Sequence, residues 1–407
     1  MRRFLADLID AELVRLRPGA ASMGRVLAQL DADLVADCGA DSLELMALTA
    51  TLAASLHLPQ AAMLDGLLAD TSLAAWTRAT AAALDAADAA GGGADRDAPA
   101  LTVGFRTSGS TGVAKACAHG LDALWQEVAV LAALLPGRRR IVSAVPCQHI
   151  YGFLFTVLLP QQAGALPVID VRAQVAAGVW QGLQPGDLVV AHPAFWQAAL
   201  AGAGASALPA DITGVSSGAP CEDALALGLV AAGLARLVQV YGSSETAGVG
   251  WREQGALPYQ LLPYWRRDPG DEANLLRSMP DGSVRAYSLP DRLAWSDDGR
   301  FVPAGRDDAA VQVGGVNVFP GHVQRVLEAH PAVRAAAVRL MRPDEGSRLK
   351  AFVVNDGSVS EQALTEQLRS WMQNRLSALE RPVSLTFGNA LPRQRNGKLA
   401  DWVIDEE

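Results

Sequence analysis

The sequence is poor in the residues that build metal sites and disulfide frameworks. Its 407 residues include four cysteines and six histidines. Cys38, Cys117, Cys147 and Cys221 are far apart and form no CxxC pair. Neither a zinc site nor a disulfide framework is indicated by this pattern. Scattered thiols are typical of the reducing cytoplasm, which is the compartment that we expect.

Positive charge and long apolar runs are also scarce. The formal net charge is −9, and the run Arg138-Arg139-Arg140 is too short to offset it, so we expect no nucleic-acid partner. No apolar stretch is long and clean enough to span a bilayer. Met1-Arg2-Arg3 leads into an amphipathic pattern, which does not predict a signal peptide. The composition indicates a soluble globular protein whose length allows two or three domains.

Glycine and hydroxyl residues are concentrated in one short stretch, TSGSTGVAK at residues 107–115. Bare backbone N–H groups and hydroxyl donors of this kind are typical of a phosphate cradle. A buried strand is predicted at 100–105 and a helix at 121–135, which together indicate a strand–loop–helix phosphate site. A Walker loop is excluded, because its Gly-Lys-Ser/Thr is replaced by Ala-Lys-Ala at 114–116. A flexible Ser/Gly linker is the alternative interpretation.

The N-terminal residues predict amphipathic helices. Over 2–16, apolar residues share one helical face and four polar residues are assigned to the opposite face: Arg2, Asp7, Asp10 and Glu12. A later helix is predicted to begin with Asp41 as its N-cap and Ser42 at its first position. Three of its residues are expected to point inward: Leu43, Met46 and Leu48.

Residues 1–84 resemble an acyl carrier protein, on the motif Gly39-Ala40-Asp41-Ser42-Leu43 and the closing segment 71–76. The resemblance implies a four-helix domain and makes Ser42 the attachment point of phosphopantetheine. An ordinary capped helix in a four-helix bundle, or a carrier-like domain used only for docking, fits the same residues. The small, glycine-rich stretch 85–98 is interpreted as a flexible linker.

The rest of the chain alternates predicted strands and helices. Strands at 141–145, 188–191 and 237–241 separated by helical segments indicate βα units and a largely parallel sheet. The last hundred residues predict a small separate α/β domain. Its expected strands are 309–313, 333–340 and 351–355, and its expected helices are 318–328 and 360–376.

Six stretches, in matching order, resemble motifs of the adenylate-forming superfamily of acyl-CoA synthetases, adenylation domains and luciferases. They are 107–115, 145–152, 217–220, 241–246, Asp291 with 306–308, and 391–398. The resemblance implies an α/β fold with a largely parallel core at 99–307 and a small mobile lid domain at 308–407. It also implies that the core is truncated, because family members usually carry well over a hundred further residues before the phosphate loop.

The resemblance assigns roles to individual residues. The pyrophosphate end of ATP is assigned to the loop residues Thr107, Ser108, Gly109, Ser110, Thr111, Gly112 and Lys115. The remaining nucleotide-site residues are Tyr241 on adenine, Ser244 at the α-phosphate, and Asp291 and Arg306 on the ribose. Gly218 and Ala219 belong to the same site, where they wall the acid pocket together with Tyr151.

Four further roles follow from the resemblance. Glu245 matches the position that binds Mg²⁺, and Lys398 matches the lysine that bridges the carboxylate and the α-phosphate during adenylation. His149 lies between acid pocket and acceptor tunnel, and Asp308 is the hinge of the lid. Taken alone, Glu245 would be interpreted as a solvated loop carboxylate and Lys398 as a tail lysine. For His149 the alternative is a structural histidine.

The sequence therefore predicts an AMP-forming ligase that uses ATP and Mg²⁺ to activate a small carboxylic acid. The acyl group then passes to a phosphopantetheine thiol of CoA or of an acyl carrier protein. Short ligases fused to a carrier-like domain are similar to those of aryl-polyene and xanthomonadin pathways, which implies an aromatic acid such as a hydroxybenzoate. A non-catalytic carrier-docking or scaffolding module is the alternative. Retention of the motif residues together argues against that alternative.

Overall fold

The computed structural model of the chain describes residues 1–17, 20–59, 67–91, 101–107, 115–203, 208–253, 257–271, 273–306, 310–314, 316–342, 344–392 and 401–402. They fall into two compact units. The first comprises Met1–Arg106 and Ala116–Gly305, and the second comprises Thr107–Lys115 and Arg306–Glu407. No helix within the described ranges combines the length and apolar character needed to cross a membrane.

The N-terminal helices are α1 (Arg2–Leu16), α2 (Gly24–Leu27), α3 (Ser42–Leu56) and α4 (Leu73–Gly91). The predicted N-cap of α3 is confirmed: the Glu44 N–H donates to the Asp41 side chain at 2.8 Å, and the Asp41 N–H donates to the Glu44 side chain at 3.0 Å. This capping box satisfies two donors that a helix start leaves unpaired. The inward orientation holds for Leu48 and is wrong for Leu43 and Met46, which are 75% and 49% exposed.

Helix α4 extends further than the sequence predicts. It continues to Gly91, seven residues into the segment interpreted as a linker. Alanine dominates residues 85–90, and alanine has the highest helix propensity, so the helix is not interrupted there. The remainder of that segment, 92–98, lies outside the described residues.

The N-terminal helices share a hydrophobic core with the rest of the first unit. Phe4 and Leu52 belong to the same cluster of buried residues as Leu124 and Phe153. Helix α1 is enclosed on more than one side, since Asp7 and Glu12 are only 5% and 4% exposed. The assignment of these two carboxylates to a solvent face was therefore wrong. Residues 1–84 lie within a larger compact unit, whereas the sequence predicts a separate carrier-like domain.

The phosphate-loop motif lies between two strands. Strands β1 (Thr102–Thr107) and β2 (Lys115–Gly120) form a two-stranded sheet, and α5 (Leu121–Leu134) follows directly. The predicted strand and helix are confirmed, but the strand–loop–helix arrangement is wrong because β2 intervenes. Cys117 and His119 are buried while Ala116 and Ala118 are exposed. This alternation is the burial pattern of a strand.

A seven-stranded sheet forms the centre of the first unit. Its spatial order is β4 (Val168–Asp170), β3 (Arg140–Ser143), β5 (Asp187–Ala191), β6 (Thr213–Ser216), β7 (Arg236–Ser243), β8 (Ala247–Glu253) and β9 (Gln260–Leu261). The first five strands run parallel to one another, β8 pairs antiparallel with β7, and β9 pairs antiparallel with β8. The largely parallel sheet predicted from the sequence is confirmed. The connecting helices are α6 (Ile150–Phe153), a π-helical turn (Leu154–Leu158), α7 (Leu159–Gln162), α8 (Ala176–Gln181), α9 (Pro193–Gly202) and α10 (Asp223–Ala231).

Two smaller sheets complete the first unit. The first contains β10 (Trp265–Arg267), β11 (Asn274–Ser278) and β12 (Val284–Ser288). The second pairs β13 (Asp291–Trp295) with β14 (Phe301–Arg306). They pack around a second apolar cluster that includes Tyr259, Leu275 and Phe301.

The second unit has the α/β composition predicted for the last hundred residues. It contains the hairpin β15 (Val311–Val313) and β16 (Val316–Val318), the helices α11 (Pro320–Glu328) and α12 (Glu361–Gln373), and the sheet β17 (Val333–Leu340), β18 (Leu349–Asn355) and β19 (Ser384–Gly388). Its own hydrophobic core includes Val323, Val353 and Leu368. The mobility of this unit stays a prediction.

Candidate active site

The carboxyl ends of the parallel strands meet at one edge of the large sheet, where several of the predicted site residues lie. His149 follows β3, Gly218 and Ala219 follow β6, and Ser244 and Glu245 follow β7. The chain runs from β3 to β4 on one side and then to β5 on the other. Such a switch point leaves a crevice at the carboxyl ends of parallel strands, which is where α/β proteins bind ligands.

The loop between β3 and α6 is tightly packed against the start of the helix that follows it. Ser143, the last residue of β3, donates its hydroxyl to the Val145 carbonyl at 3.0 Å. A Cβ atom on Gly152 would lie 2.0 Å from the Pro146 carbonyl oxygen. Only glycine fits there, which gives a physical reason for the glycine that ends the Pro-x-x-His-x-x-Gly motif.

His149 is the N-cap residue of α6, and its side chain keeps an exposed surface. Loss of hydration among the surrounding protein atoms lowers the pKa of the imidazole, with Arg172 acting in the same direction and Asp7 against it. The ring is therefore neutral at pH 7. A neutral imidazole at a crevice is able to accept a proton.

Tyr151 joins the ends of two strands. Its hydroxyl is placed to donate to the carbonyls of Ala191 and Val215, at 2.9 and 3.1 Å. Burial raises the pKa of Tyr151 well above its usual value, so the phenol stays protonated. Gly218, which follows β6, has φ +83°, a conformation that favours glycine.

The turn that carries Ser244 and Glu245 is fixed by residues that the sequence analysis did not select. The Ser243 hydroxyl accepts the N–H groups of Glu245 and Thr246 at 3.2 and 3.3 Å. The His119 ring nitrogen lies 2.7 Å from the Ser244 carbonyl oxygen. The Glu245 side chain is half-buried. A carboxylate on a turn held in this way fits a hard cation such as Mg²⁺.

A buried ion pair lies behind this turn. Glu127 on α5 accepts the Gly248 N–H at 2.8 Å, and its carboxylate is 3.9 Å from the Arg277 guanidinium. Arg277 also donates to the Ala123 and Thr246 carbonyls, at 2.6 and 3.5 Å. Both charged side chains are fully buried. Burial raises the pKa of Glu127 to about 7, whereas Arg277 lowers it. No local sequence signal marks this pair, because its partners are far apart in the chain.

The residues predicted for adenine and ribose are in direct contact. The Tyr241 hydroxyl donates to an Asp291 carboxylate oxygen at 2.7 Å. The Tyr241 ring also packs against Phe301 and Tyr259, at centroid distances of 5.3 and 5.8 Å. This aromatic cluster holds the ring in place, as a stacking platform for a purine requires.

Several predicted residues cannot be placed in the site. Ser108, Gly109, Ser110, Thr111, Gly112, Asp308 and Lys398 lie outside the described residues, as do the side chains of Thr107, Lys115 and Arg306. Ser42 is exposed at the first position of α3. It lies on the N-terminal helices, away in sequence from every residue of the crevice.

Comparison with known protein families shows which family this chain belongs to. The AMP-binding enzyme family matches residues 17–270, and the C-terminal domain of AMP-binding enzymes matches residues 322–398. The chain belongs to the AMP-binding enzyme family. The first match begins inside the segment interpreted as carrier-like. The predicted AMP-forming acid–thiol ligase class is confirmed.

Similar AMP-binding enzymes include two bacterial ligases and a solved structure. The 4-coumarate–CoA ligase of Rhodobacter capsulatus is 45% identical over 302 residues, covering 73% of this chain and 74% of the relative. That of Halorhodospira halophila is 40% identical over 296 residues, covering 72% and 74%. The fold matches o-succinylbenzoate CoA synthetase of Bacillus subtilis with a TM-score of 0.60 and 20% identity, over 73% of this chain and 67% of that one.

Proposed function

We propose that this AMP-binding enzyme activates a hydroxylated aromatic acid of the 4-coumarate class with ATP and transfers the acyl group to CoA. The observation that carries the proposal is the 45% identity to a 4-coumarate–CoA ligase across about three quarters of both chains. The position of His149, Tyr241 and Glu245 supports the proposal. His149 and Glu245 follow parallel strands and Tyr241 is near the end of one, at the sheet edge where α/β proteins bind ligands. Hydroxybenzoates, implied by the likeness to pigment-pathway ligases, are the second acid class.

Two half-reactions make up the proposed chemistry. A carboxylate oxygen attacks the α-phosphorus of ATP, the bond to pyrophosphate breaks, and an acyl-adenylate forms. The thiol sulfur then attacks the acyl carbon, AMP leaves, and the thiol proton passes to a base. Tyr241 and Asp291 would hold the nucleoside, and Glu245 would hold Mg²⁺, which supplies charge stabilisation for the phosphates. The neutral imidazole of His149 is available to accept the thiol proton.

ATP–pyrophosphate exchange against a panel of acids tests the proposal. The panel contains 4-coumarate, cinnamate, 4-hydroxybenzoate, benzoate and a long-chain fatty acid. We expect 4-coumarate to give the highest exchange, with benzoate and the fatty acid lower by tenfold or more. A missing hydroxyl would leave a polar group of the pocket unpaired, which costs about one to three kcal/mol. Preference for the fatty acid would refute the acid class, and absence of exchange with every acid would refute the activity.

The acceptor thiol is proposed to be that of CoA, with Ser42 unmodified. The helices of residues 1–84 share their core with the large sheet. A phosphopantetheine arm on Ser42 would therefore be attached at a fixed point of the first unit, and not to a separate domain that could carry it to the crevice. Co-expression with a broad phosphopantetheinyl transferase followed by intact-mass measurement checks this. We expect the unmodified mass together with thioester formation on free CoA. A pantetheine increment that disappears in Ser42→Ala would instead support the carrier-like interpretation.

The lowered pKa of His149 predicts the pH dependence of thioester formation. Because desolvation lowers the pKa, the neutral imidazole persists below the ordinary histidine value of about 6.5. We expect the rate of thioester formation from pre-formed adenylate to stay level down to that pH and to fall only below it. Stopped-flow measurement between pH 5 and 8, with His149→Gln as the comparison, checks this. A midpoint above pH 7, or an unchanged profile in His149→Gln, would remove His149 from the step.

A further inference from the structure

Helix α1 is joined to the loop that carries His149 by three side chains. The Arg3 guanidinium donates to the Ser143 hydroxyl at 2.9 Å. The Phe4 ring meets the Phe153 ring edge-on at 5.2 Å. The Asp7 carboxylate accepts the Cys147 N–H at 2.7 Å. These contacts are at the start, the far end and the middle of the segment 143–153, so this segment packs against α1 along its length.

Asp7 is the central member of this set. One carboxylate oxygen takes the Cys147 N–H, and the other accepts from the Arg172 guanidinium at 2.5 Å. Arg172 also pairs with Asp170, the last residue of β4, at 2.6 Å. A single buried carboxylate therefore ties together the segments that follow two adjacent strands, β3 and β4. A buried carboxylate persists only where it is paired and hydrogen-bonded, and both conditions are met here.

The position of Cys147 affects the position of His149 through the packing of the loop. Cys147 is fully buried, and the backbone at Pro146 is in close contact with Gly152 on the first turn of α6. Because this contact leaves no free space, a shift at Cys147 has to move the residues between it and Gly152. His149 is one of them. Burial, with Asp7 adding to the effect, raises the pKa of the Cys147 thiol well above its usual value, which disfavours the thiolate. The contact with Asp7 is made by the Cys147 backbone N–H.

We infer that Asp7 is a positioning residue for the acid and thiol pocket: by holding the Cys147 N–H, its carboxylate sets the place of the His149 ring. The inference rests on the proposed function, in which His149 accepts the thiol proton, and on the family resemblance, which places His149 between the acid pocket and the acceptor tunnel. Asp7 does not touch substrate in this account. Nucleotide binding is expected to be independent of it, because Tyr241 and Asp291 lie on other strands of the first unit.

The test compares Asp7→Ala with Asp7→Asn and with Asp10→Ala. Asp10 is the matched control, because it is also an aspartate of α1 whose carboxylate accepts hydrogen bonds. Its donors are the Ser22 hydroxyl and the Met23 N–H, which lie outside the segment 143–153. For Asp7→Ala we expect the KM for the acid to rise about tenfold and thioester formation to slow, with the KM for ATP unchanged. Asp7→Asn retains an acceptor for the Cys147 N–H and is expected to restore most of the acid affinity.

A purely structural role would give a different pattern. Loss of folded protein lowers kcat and leaves the KM for the acid unchanged. An unchanged acid KM in Asp7→Ala, or an equal rise in Asp10→Ala, would overturn the inference. If Asp7→Ala does not fold, Ser143→Ala removes the Arg3 contact and the bond to the Val145 carbonyl at the start of the same segment. We expect a smaller rise in acid KM there, and a wild-type value would overturn the inference.

Hydrogen–deuterium exchange separates this inference from the proposed activity. In the substrate-free proteins, peptides covering 144–153 should exchange faster in Asp7→Ala than in Asp10→Ala, since the Cys147 N–H loses its acceptor. This result is expected even if no aromatic acid is turned over, in which case only the proposed function fails. Equal exchange in the two variants would refute the role of Asp7 whatever the enzyme's substrate.

Discussion

Replacing Lys398 by alanine is expected to lower ATP–pyrophosphate exchange by about a hundredfold or more while ATP binding stays close to wild type. In the role that the family resemblance implies for Lys398, its ammonium would stabilise charge that develops only as the carboxylate reaches the α-phosphorus. A group that acts on the transition state alone changes kcat more than ground-state binding. Exchange rates and ATP titration of the same preparation check both parts.

Few other lysines could take over the role proposed for Lys398. The chain has three lysines, Lys115, Lys350 and Lys398, among 34 basic residues. Lys350 is fully buried and bonded to Glu345 and to the Trp402 carbonyl, so its role in the second unit is structural. The variant Lys398→Arg keeps the charge but not the compact ammonium, and we expect it to recover only part of the activity. Wild-type exchange in Lys398→Ala would contradict the assignment.

Among the variants proposed for this protein, Arg277→Met is expected to lose the most stability, about 3 to 5 kcal/mol in the free energy of unfolding at pH 9. The substitution leaves the Glu127 carboxylate buried without its counter-ion and removes donors from the Ala123 and Thr246 carbonyls. Arg277 also lies over the rings of Tyr264 and Trp265, and that cation–π contact is lost. Denaturant unfolding followed by tryptophan fluorescence measures the change.

The pH dependence of this loss follows from the sign of the Glu127 shift. Its pKa is raised from 4.5 to about 7, so proton uptake favours the folded state and stability declines as pH rises between these values. Without Arg277 the ionised form becomes costlier still. The loss in Arg277→Met should therefore be smaller at pH 5 than at pH 9.

Arg285 provides the control for Arg277. It lies opposite Arg277 in the register of β11 and β12, and it is exposed. Arg285→Met should change stability by no more than about 0.5 kcal/mol. A loss in Arg277→Met that is equally small would show that Arg277 contributes little to the fold. A large loss that does not depend on pH would show that the ionised Glu127 is not its cause.

Local pattern was sufficient to predict much of the first unit and most of the second. Alternation of strands and helices predicted the parallel sheet, and the position of Asp41 before an apolar helical pattern predicted the N-cap, because both depend on neighbours along the chain. The reciprocal bond from the Asp41 N–H to Glu44 was not predicted. The contact between Tyr241 and Asp291 was within reach of motif matching, since each residue was assigned to the same nucleotide.

Burial by distant segments was not predictable in this way. Asp7 lies opposite the apolar face of α1, yet it is buried by partners such as Cys147 and Arg172. Glu12 follows Leu8 by four residues and so lies on the apolar face itself, where it pairs with Arg106. Periodicity reports which residues share a helical face and not what packs against it. The same limit applies to Glu127 and Arg277, whose pairing needs α5 and β11 to be brought together. The turn residues Ser243 and Thr246 were missed because their role is to hold Glu245 and not to meet the ligand.

The products formed from ATP, 4-coumarate and CoA test the central claim most directly. With CoA left out, mass spectrometry should detect coumaroyl-adenylate bound to the protein and free pyrophosphate. On addition of CoA, the adenylate should disappear as coumaroyl-CoA and AMP appear in equal amounts. Formation of ADP in place of AMP, or failure of the adenylate to form with any aromatic acid, would contradict the account.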